Sequence, residues 1–132
     1  MSVWTFYNFL DARGDNVIKD WMNDEIPWEA KSHINIKLLY LRAMPIWPEK
    51  LASSYQGFPG IIELRFPYKR VQYRPLGCYG PQEKQFTLLI GAIEKGGKIR
   101  KGILDTATER MGILNRMPPS LLGECICEHA YD

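Results

Sequence analysis

The residues best suited to chemistry in this sequence are arginines and lysines that lie among β-forming residues. Arg65 and Arg74 each fall within an apolar stretch, and Lys95 follows a third such stretch. Residues 65–101 contain nine Lys or Arg against two Glu, although the whole chain carries a formal net charge of only +2. A cationic segment with aromatic neighbours is typical of proteins that bind phosphate-rich partners such as nucleic acids. Lysines on an exposed strand edge also prevent aggregation, so both interpretations remain open.

Three β-strands are predicted to position these basic residues. They are residues 61–66, 71–78 and 85–93, joined by the short links PYKR and YGPQEK. Because these links are so short, they form hairpins, and they exclude parallel crossovers between the three strands. The last strand contains FTLLIGAI, and such a continuous apolar run is typical of a central strand covered on both faces. Arg65 and Arg74 then lie on adjacent strands, where they can share one face of the sheet.

Helices are predicted before and after these strands. The first follows a cap at Asp15 or Asn16, the second begins at Pro27 and runs to about residue 42, and the third runs from Lys101 to about residue 116. Apolar residues recur at intervals of three or four in each of them. Each helix is therefore expected to bury one face against the sheet.

The rest of the chain completes a single domain. At 132 residues the chain is too short for two domains of ordinary size. Residues 4–10 are either a first strand or the entry to a helix, and residues 44–60, with three prolines and two glycines, are predicted to be a connection. The predicted fold is α+β in two layers, with two N-terminal helices, an antiparallel sheet of about four strands and a C-terminal helix. Residues 1–117 form this domain, and residues 118–132 form a C-terminal tail.

The composition also bears on location and cofactors. No stretch approaches the roughly 18 apolar residues of a membrane span, and no basic region precedes the N-terminal apolar residues, so a cytoplasmic protein is expected. Three cysteines, an odd number, do not make a disulfide framework. The run CICEH places two of them beside His129, but a closed zinc site needs four ligands at wider spacings. No metal and no cofactor is predicted.

Four motifs carry a resemblance to a known family. IIELRF, QYRPLGCY, FTLLIGAIEK and ILDTATER, in this order and spacing, resemble the RelE superfamily of toxins, and most closely its HigB-like, phage-derived branch. The resemblance covers about residues 60–116, and the upstream helices fit it more loosely. It implies an antiparallel sheet with helices at the N-terminal end and one near the C-terminus. It also implies a toxin that enters the ribosomal A site, cleaves mRNA without a metal, and is neutralised by a cognate antitoxin, often a helix-turn-helix protein.

In such a cleavage the ribose 2′-hydroxyl attacks the adjacent phosphate, so the site removes a proton, stabilises extra negative charge and protonates the leaving oxygen. The resemblance implies that Arg65, Arg74 and Lys95 are the catalytic residues on the phosphate side. Arginine suits this role because its planar fork offers two donors to phosphate and stays charged. The predicted RNA-binding residues are Tyr73, Lys69, Arg70, Lys98, Arg100 and Lys101.

Two departures from the family pattern support an alternative. Glu94 stands where a second basic residue is expected, although alternation along a strand allows it to point to the opposite face. No histidine lies in the matched segment to serve as acid or base, since His33 and His129 are both outside it. The alternative is a non-catalytic binding protein of phage or prophage origin that keeps the fold, in which Arg65 forms an ordinary ion pair with Glu63.

Overall fold

The computed structural model describes residues 3–132, which form an α+β domain around a six-stranded sheet. The strands are β1 (Thr5–Phe9), β2 (Ala52–Ser54), β3 (Ile62–Leu64), β4 (Phe66–Tyr68), β5 (Val71–Tyr73), β6 (Leu76–Tyr79), β7 (Gln85–Ile90), β8 (Ile93–Glu94) and β9 (Ile126–Glu128). The helices are α1 (Val17–Asp20), α2 (Trp28–Ala43) and α3 (Lys101–Arg116), with a π-helical turn at Trp21–Glu25 and a 3-10 helix at Pro119–Glu124. The predicted α+β class is confirmed.

The three predicted helices are present close to their predicted bounds. Asn16 caps α1, since its Oδ1 accepts a hydrogen bond from the Lys19 amide at 3.0 Å. Pro27 immediately precedes α2, which buries Ala30, Ile34 and other apolar residues at intervals of three or four. Local capping and periodicity were sufficient to locate these elements.

Each of the three predicted strands is broken in two, which is the main error of the sequence prediction. The breaks fall at Arg65, at Arg74–Pro75 and at Gly91–Ala92. The six-stranded sheet, called the large sheet below, has the strand order β2-β3-β6-β7-β1-β9. The remaining pieces form a separate antiparallel sheet, called the small sheet, in the order β4-β5-β8. Pro75 has no amide proton to continue a ladder. Gly91 lies against the Trp21 ring, so close that a Cβ atom there would be 1.9 Å from Cδ2.

The large sheet is mixed rather than antiparallel. Strand β1 pairs in parallel with β7, from Thr5 opposite Gln85 to Asn8 opposite Leu88. The chain between these strands is long enough for a crossover, which the short links between the central strands are not. Residues 44–60 contribute the edge strand β2, which pairs with β3, so the prediction of a simple connection there was wrong.

Helices cover both faces of the large sheet and make three layers instead of the two predicted. On one face, α1 and α2 pack against Phe6 and Leu88. On the other face, α3 packs against Leu89 and the neighbouring apolar side chains. Strand β7 is therefore central and buried on both sides, as its continuous apolar sequence predicted.

The segment 118–132 packs on the domain. Strand β9 pairs antiparallel with β1, and the His129 ring lies between the side-chain oxygens of Asn8 and Asn35, at 3.1 and 2.8 Å. The last strand of the large sheet thus comes from the part of the sequence that carried no pattern. Among residues 3–132, no helix has both the length and the apolar character needed to cross a bilayer.

Candidate functional site

Arg65 and Arg74 line the same cleft, as their predicted positions on adjacent strands suggested. Arg65 lies between β3 and β4, where the chain leaves the large sheet for the small one, and Arg74 lies between β5 and β6, where the chain returns to the large sheet. The cleft, hereafter the arginine cleft, has a volume of about 990 Å³. It is lined by Trp47, Glu49, Ala52, Ser53, Ser54, Tyr55, Gln56, Ile62, Glu63, Arg65, Arg74, Tyr79, Glu94, Gly97 and Lys98.

Arg65 forms an ion pair with a carboxylate of its own strand. Its Nε donates to Oε1 of Glu63 at 2.8 Å. Its Nη1 also approaches the carbonyl oxygen of Glu49, at 3.5 Å. Glu63 is almost fully buried, so this pairing holds the guanidinium against the wall of the cleft. The ion pair considered from the sequence is present.

Arg74 is held by two side chains of the small sheet. Its Nε and Nη2 each lie 2.9 Å from Oε2 of Glu94, and Nη2 also donates to Oε1 of Gln72 at 2.9 Å. Gln72 on β5 is paired with Glu94 on β8, which brings the carboxylate to the arginine. Glu94 therefore points into the cleft and not to the opposite face.

The charges of the arginine cleft balance. Three cations, Arg65, Arg74 and Lys98, meet three carboxylates, and the latter are Glu49, Glu63 and Glu94. A carboxylate competes with a phosphate for the same arginine donors and repels it. A phosphate can bind to the Nε and Nη2 edge of Arg74 only if Glu94 gives up at least one of its two contacts there.

Lys95 lies apart from the two arginines. It borders a second hollow, of about 360 Å³, together with Arg100 and the ring of Trp21. Successive residues point to opposite sides of a strand, so the inward position of Glu94 turns Lys95 outward. Lys98 borders both hollows. The structure thus brings two of the three predicted catalytic residues together and places the third on another surface.

Three further predicted RNA-binding residues do not border the arginine cleft. Lys69 and Arg70 form the turn between β4 and β5, with φ of 48° and 69°. Two consecutive residues with positive φ are typical of a type I′ hairpin turn, where glycine and asparagine are usual. Lys101 begins α3 and forms an exposed ion pair with Asp105 at 3.0 Å.

Tyr73, one of the predicted RNA-binding residues, is buried, and Tyr79 is the exposed aromatic residue of the cleft. The side chain of Tyr73 is only 4% exposed, whereas Tyr79 is 51% exposed. The Tyr73 ring packs edge-on against Trp21, with centroids 6.4 Å apart, and its burial raises the pKa of the phenol. A nucleobase cannot stack on a ring that is covered. Tyr79 lies beside Trp47, which comes from a segment that the sequence showed only as a connection.

Carboxylates and phenols border the cleft, and histidines do not. Neither His33 nor His129 borders it, and burial lowers the pKa of His129 to about 4. Glu63 and Glu94 are the carboxylates in contact with the arginines. Within residues 3–132, no group of three or more His, Cys, Asp or Glu side chains is arranged to hold a metal ion.

Comparison of the chain with protein-family models, with curated proteins and with solved structures found no match.

Proposed function

We propose that this protein is a toxin of the RelE and HigB type that cleaves mRNA on the ribosome. The main support is that Arg65 and Arg74, from the two arms of one hairpin, line one open cleft with the exposed ring of Tyr79. Two fixed guanidinium groups beside an aromatic ring are suited to hold a phosphate and an adjacent base of single-stranded RNA. The strands that carry them give the rigidity that recognition of a strained phosphate requires.

In this proposal the scissile phosphate takes the place of a carboxylate on Arg74. The fork of the guanidinium then faces two phosphate oxygens and stabilises the charge that develops in the transition state. Glu63 or Glu94 accepts the proton of the 2′-hydroxyl, because an ionised carboxylate is an acceptor placed beside the arginines. As the 2′-oxygen bonds to phosphorus, the bond from phosphorus to the 5′-oxygen breaks, and the ammonium group of Lys98 gives a proton to this leaving oxygen. Tyr79 stacks on a neighbouring base. The expected partners are the ribosome, its mRNA and a cognate helix-turn-helix antitoxin, and the expected compartment is the cytoplasm.

A second candidate is a non-catalytic binding protein of phage or prophage origin. The balanced charges of the arginine cleft favour it, since Glu63 and Glu94 already occupy the two arginines. The position of Lys95 on a separate hollow favours it too, because that leaves one cation fewer at the phosphate. Such a protein binds its target through the same surface without cutting it.

Cleavage of an mRNA by translating ribosomes, with the new 5′ ends mapped, distinguishes the two. The comparison uses the wild type, Arg74→Lys, which keeps the charge but loses the fork, and Arg13→Ala as a control. Arg13 is exposed and pairs only with its neighbour Asp15 among the described ion pairs. We expect cleavage by the wild type and by the control, and a loss of about a hundredfold or more in Arg74→Lys. If the folded wild type does not cleave the mRNA, the endonuclease proposal is wrong and the non-catalytic binding protein is the remaining candidate.

A further inference from the structure

The outer face of α2 is apolar although nothing in the described chain covers it. The exposed residues of this helix are all uncharged, and they are Trp28, Ser32, Ile36, Leu39, Tyr40 and Ala43. Trp28 is 73% exposed, and just beyond the helix Ile46 is 86% exposed. These seven residues are called the outer face of α2 below. The six that belong to α2 are spaced by three or four residues, which places them along one side of the helix, in a stripe about 24 Å long.

The opposite side of α2 is also apolar, which makes the helix unusual. Ala30, Ile34 and Leu38 are fully buried in the core. A helix at the surface normally presents charged or polar residues on the side away from the core, and a helix that is apolar all round is normally buried. A contiguous exposed apolar surface of this kind marks an interaction site.

We propose that two copies of this chain associate through the outer face of α2, with the two helices antiparallel and the two-fold axis passing beside Ile36. This inference is independent of the proposed function. In a two-fold interface the same patch on both copies is self-complementary. A residue at a given number of positions before Ile36 in one copy then faces the residue at the same number of positions after Ile36 in the other copy.

A small and a large side chain lie at equal distances on either side of Ile36. Ser32 lies four residues before it and the ring of Tyr40 four residues after it, so each ring covers the serine of the other copy. By the same rule the exposed ring of Trp28 faces Met44, two residues before the exposed side chain of Ile46. Large side chains opposite small ones allow two identical helices to pack closely.

The charges around the stripe agree with antiparallel packing. Glu29 lies in the first turn of α2 and Arg42 in the last turn, so antiparallel helices bring opposite charges to each end. The helix dipoles are then also antiparallel. Lys31, the basic residue of the N-terminal half, is directed to Asn23, whose Oδ1 accepts from its Nζ at 2.6 Å. The residues of the stripe itself are uncharged, and the Lys37 ammonium lies beside the stripe, 5.7 Å from the centroid of the Tyr40 ring.

The available area is of the order that a stable dimer needs. A specific interface buries at least about 600 Å² on each partner, and one aromatic side chain supplies roughly 150–250 Å² when fully buried. Two exposed aromatic rings and three exposed aliphatic side chains reach the lower end of that range. We therefore expect a dimer that dissociates on dilution.

Sedimentation equilibrium of the full chain over a range of concentrations tests this inference. The variants are Ile36→Glu and Leu39→Glu on the stripe, with Leu121→Glu as the control. Leu39 and Leu121 are matched, since they are 41% and 42% exposed, and Leu121 lies on the 3-10 helix outside the stripe. Two glutamates facing each other across the axis are expected to weaken association by about a hundredfold or more, while Leu121→Glu leaves it unchanged.

A mixing experiment tests the position of the axis. Ile36→Glu and Ile36→Lys are each expected to be monomeric, and an equimolar mixture of them is expected to dimerise, because residue 36 of one copy meets residue 36 of the other. Circular dichroism confirms that each variant is folded. A wild type that stays monomeric, a dimer that survives Ile36→Glu, or a mixture that stays monomeric would each overturn the inference.

Discussion

Arg74 holds the carboxylate of Glu94 with two nitrogens, Nε and Nη2, each 2.9 Å from the same oxygen. Both side chains are largely buried, at 13% and 21% exposure. The contact joins the junction of β5 and β6 to β8, where the two sheets of the molecule meet. Because a phosphate bound to this edge of the guanidinium needs the same two nitrogens, Glu94 controls whether the edge is available to an anion.

Replacing Glu94 by the isosteric glutamine is expected to tighten the binding of single-stranded RNA by about tenfold, because one carboxylate no longer competes for Arg74. The logarithm of the affinity should also fall more steeply with salt. Fluorescence anisotropy of a labelled oligoribonucleotide at several salt concentrations measures both. The control is Glu109→Gln, which removes the same charge from the exposed side of α3. Equal effects of the two variants would assign the change to net charge alone.

Replacing Tyr79, which borders the cleft, and replacing Tyr73, which is buried in the core, should affect different properties of the protein. Tyr79→Ala is expected to weaken RNA binding by about 1–3 kcal/mol, the usual value of one stacked base, with little loss of stability. Tyr73→Ala is expected to cost about 3–5 kcal/mol of folding stability, because its ring fills the core against Trp21. Urea unfolding and RNA titration of both variants separate these effects. Loss of RNA binding in a stable Tyr73→Phe would contradict the assignment of Tyr73 to the core.

The bend between β7 and β8 depends on the missing side chain of Gly91. A Cβ atom there would meet three atoms of the Trp21 ring within 2.3 Å, so Gly91→Ala must displace the backbone or the indole. We expect a loss of about 2–4 kcal/mol in the free energy of unfolding. Gly102 in α3 has no atom within 4 Å of the same position, and Gly102→Ala should stabilise the protein by about 0.5–1 kcal/mol. Chemical denaturation of both variants tests the contrast.

His129 should make stability dependent on pH below neutrality. Burial lowers its pKa in the folded protein from 6.5 to about 4, so the unfolded chain binds a proton more readily than the folded one. The neutral ring therefore contributes its stabilisation above pH 6.5, and this contribution is lost as the pH falls toward 4. The total is roughly 3 kcal/mol by linkage.

Urea unfolding of the wild type and His129→Gln at pH 7.5, 6.0 and 4.5 isolates this contribution from that of the carboxylates. The difference in stability between the two proteins should shrink as the pH falls. A difference that stays constant would show that His129 titrates alike in the folded and unfolded states.

Helices were predictable from the sequence because the interactions that define them are local. The cap at Asn16 lies three residues from the amide it binds, and the buried side chains of α2 repeat within one turn. Central strand β7 was predictable for a related reason, since a strand buried on both faces must be apolar throughout. The convergence of Arg65 and Arg74 followed from their places on adjacent strands of one hairpin.

The breaks in the strands, the charge of the cleft and the exposure of each tyrosine were decided by tertiary structure. Whether a strand continues depends on partners far away in the chain, such as Ala92, whose carbonyl oxygen accepts from the Arg74 amide. A shift of one residue in register exchanges the two faces of a strand, and the sequence alone did not show that Tyr73 is buried or that Glu94 faces the arginine. The sequence by itself determined the three helices, the central strand β7 and the segment that carries the cations. Only the pairing of distant strands determined which carboxylates meet them.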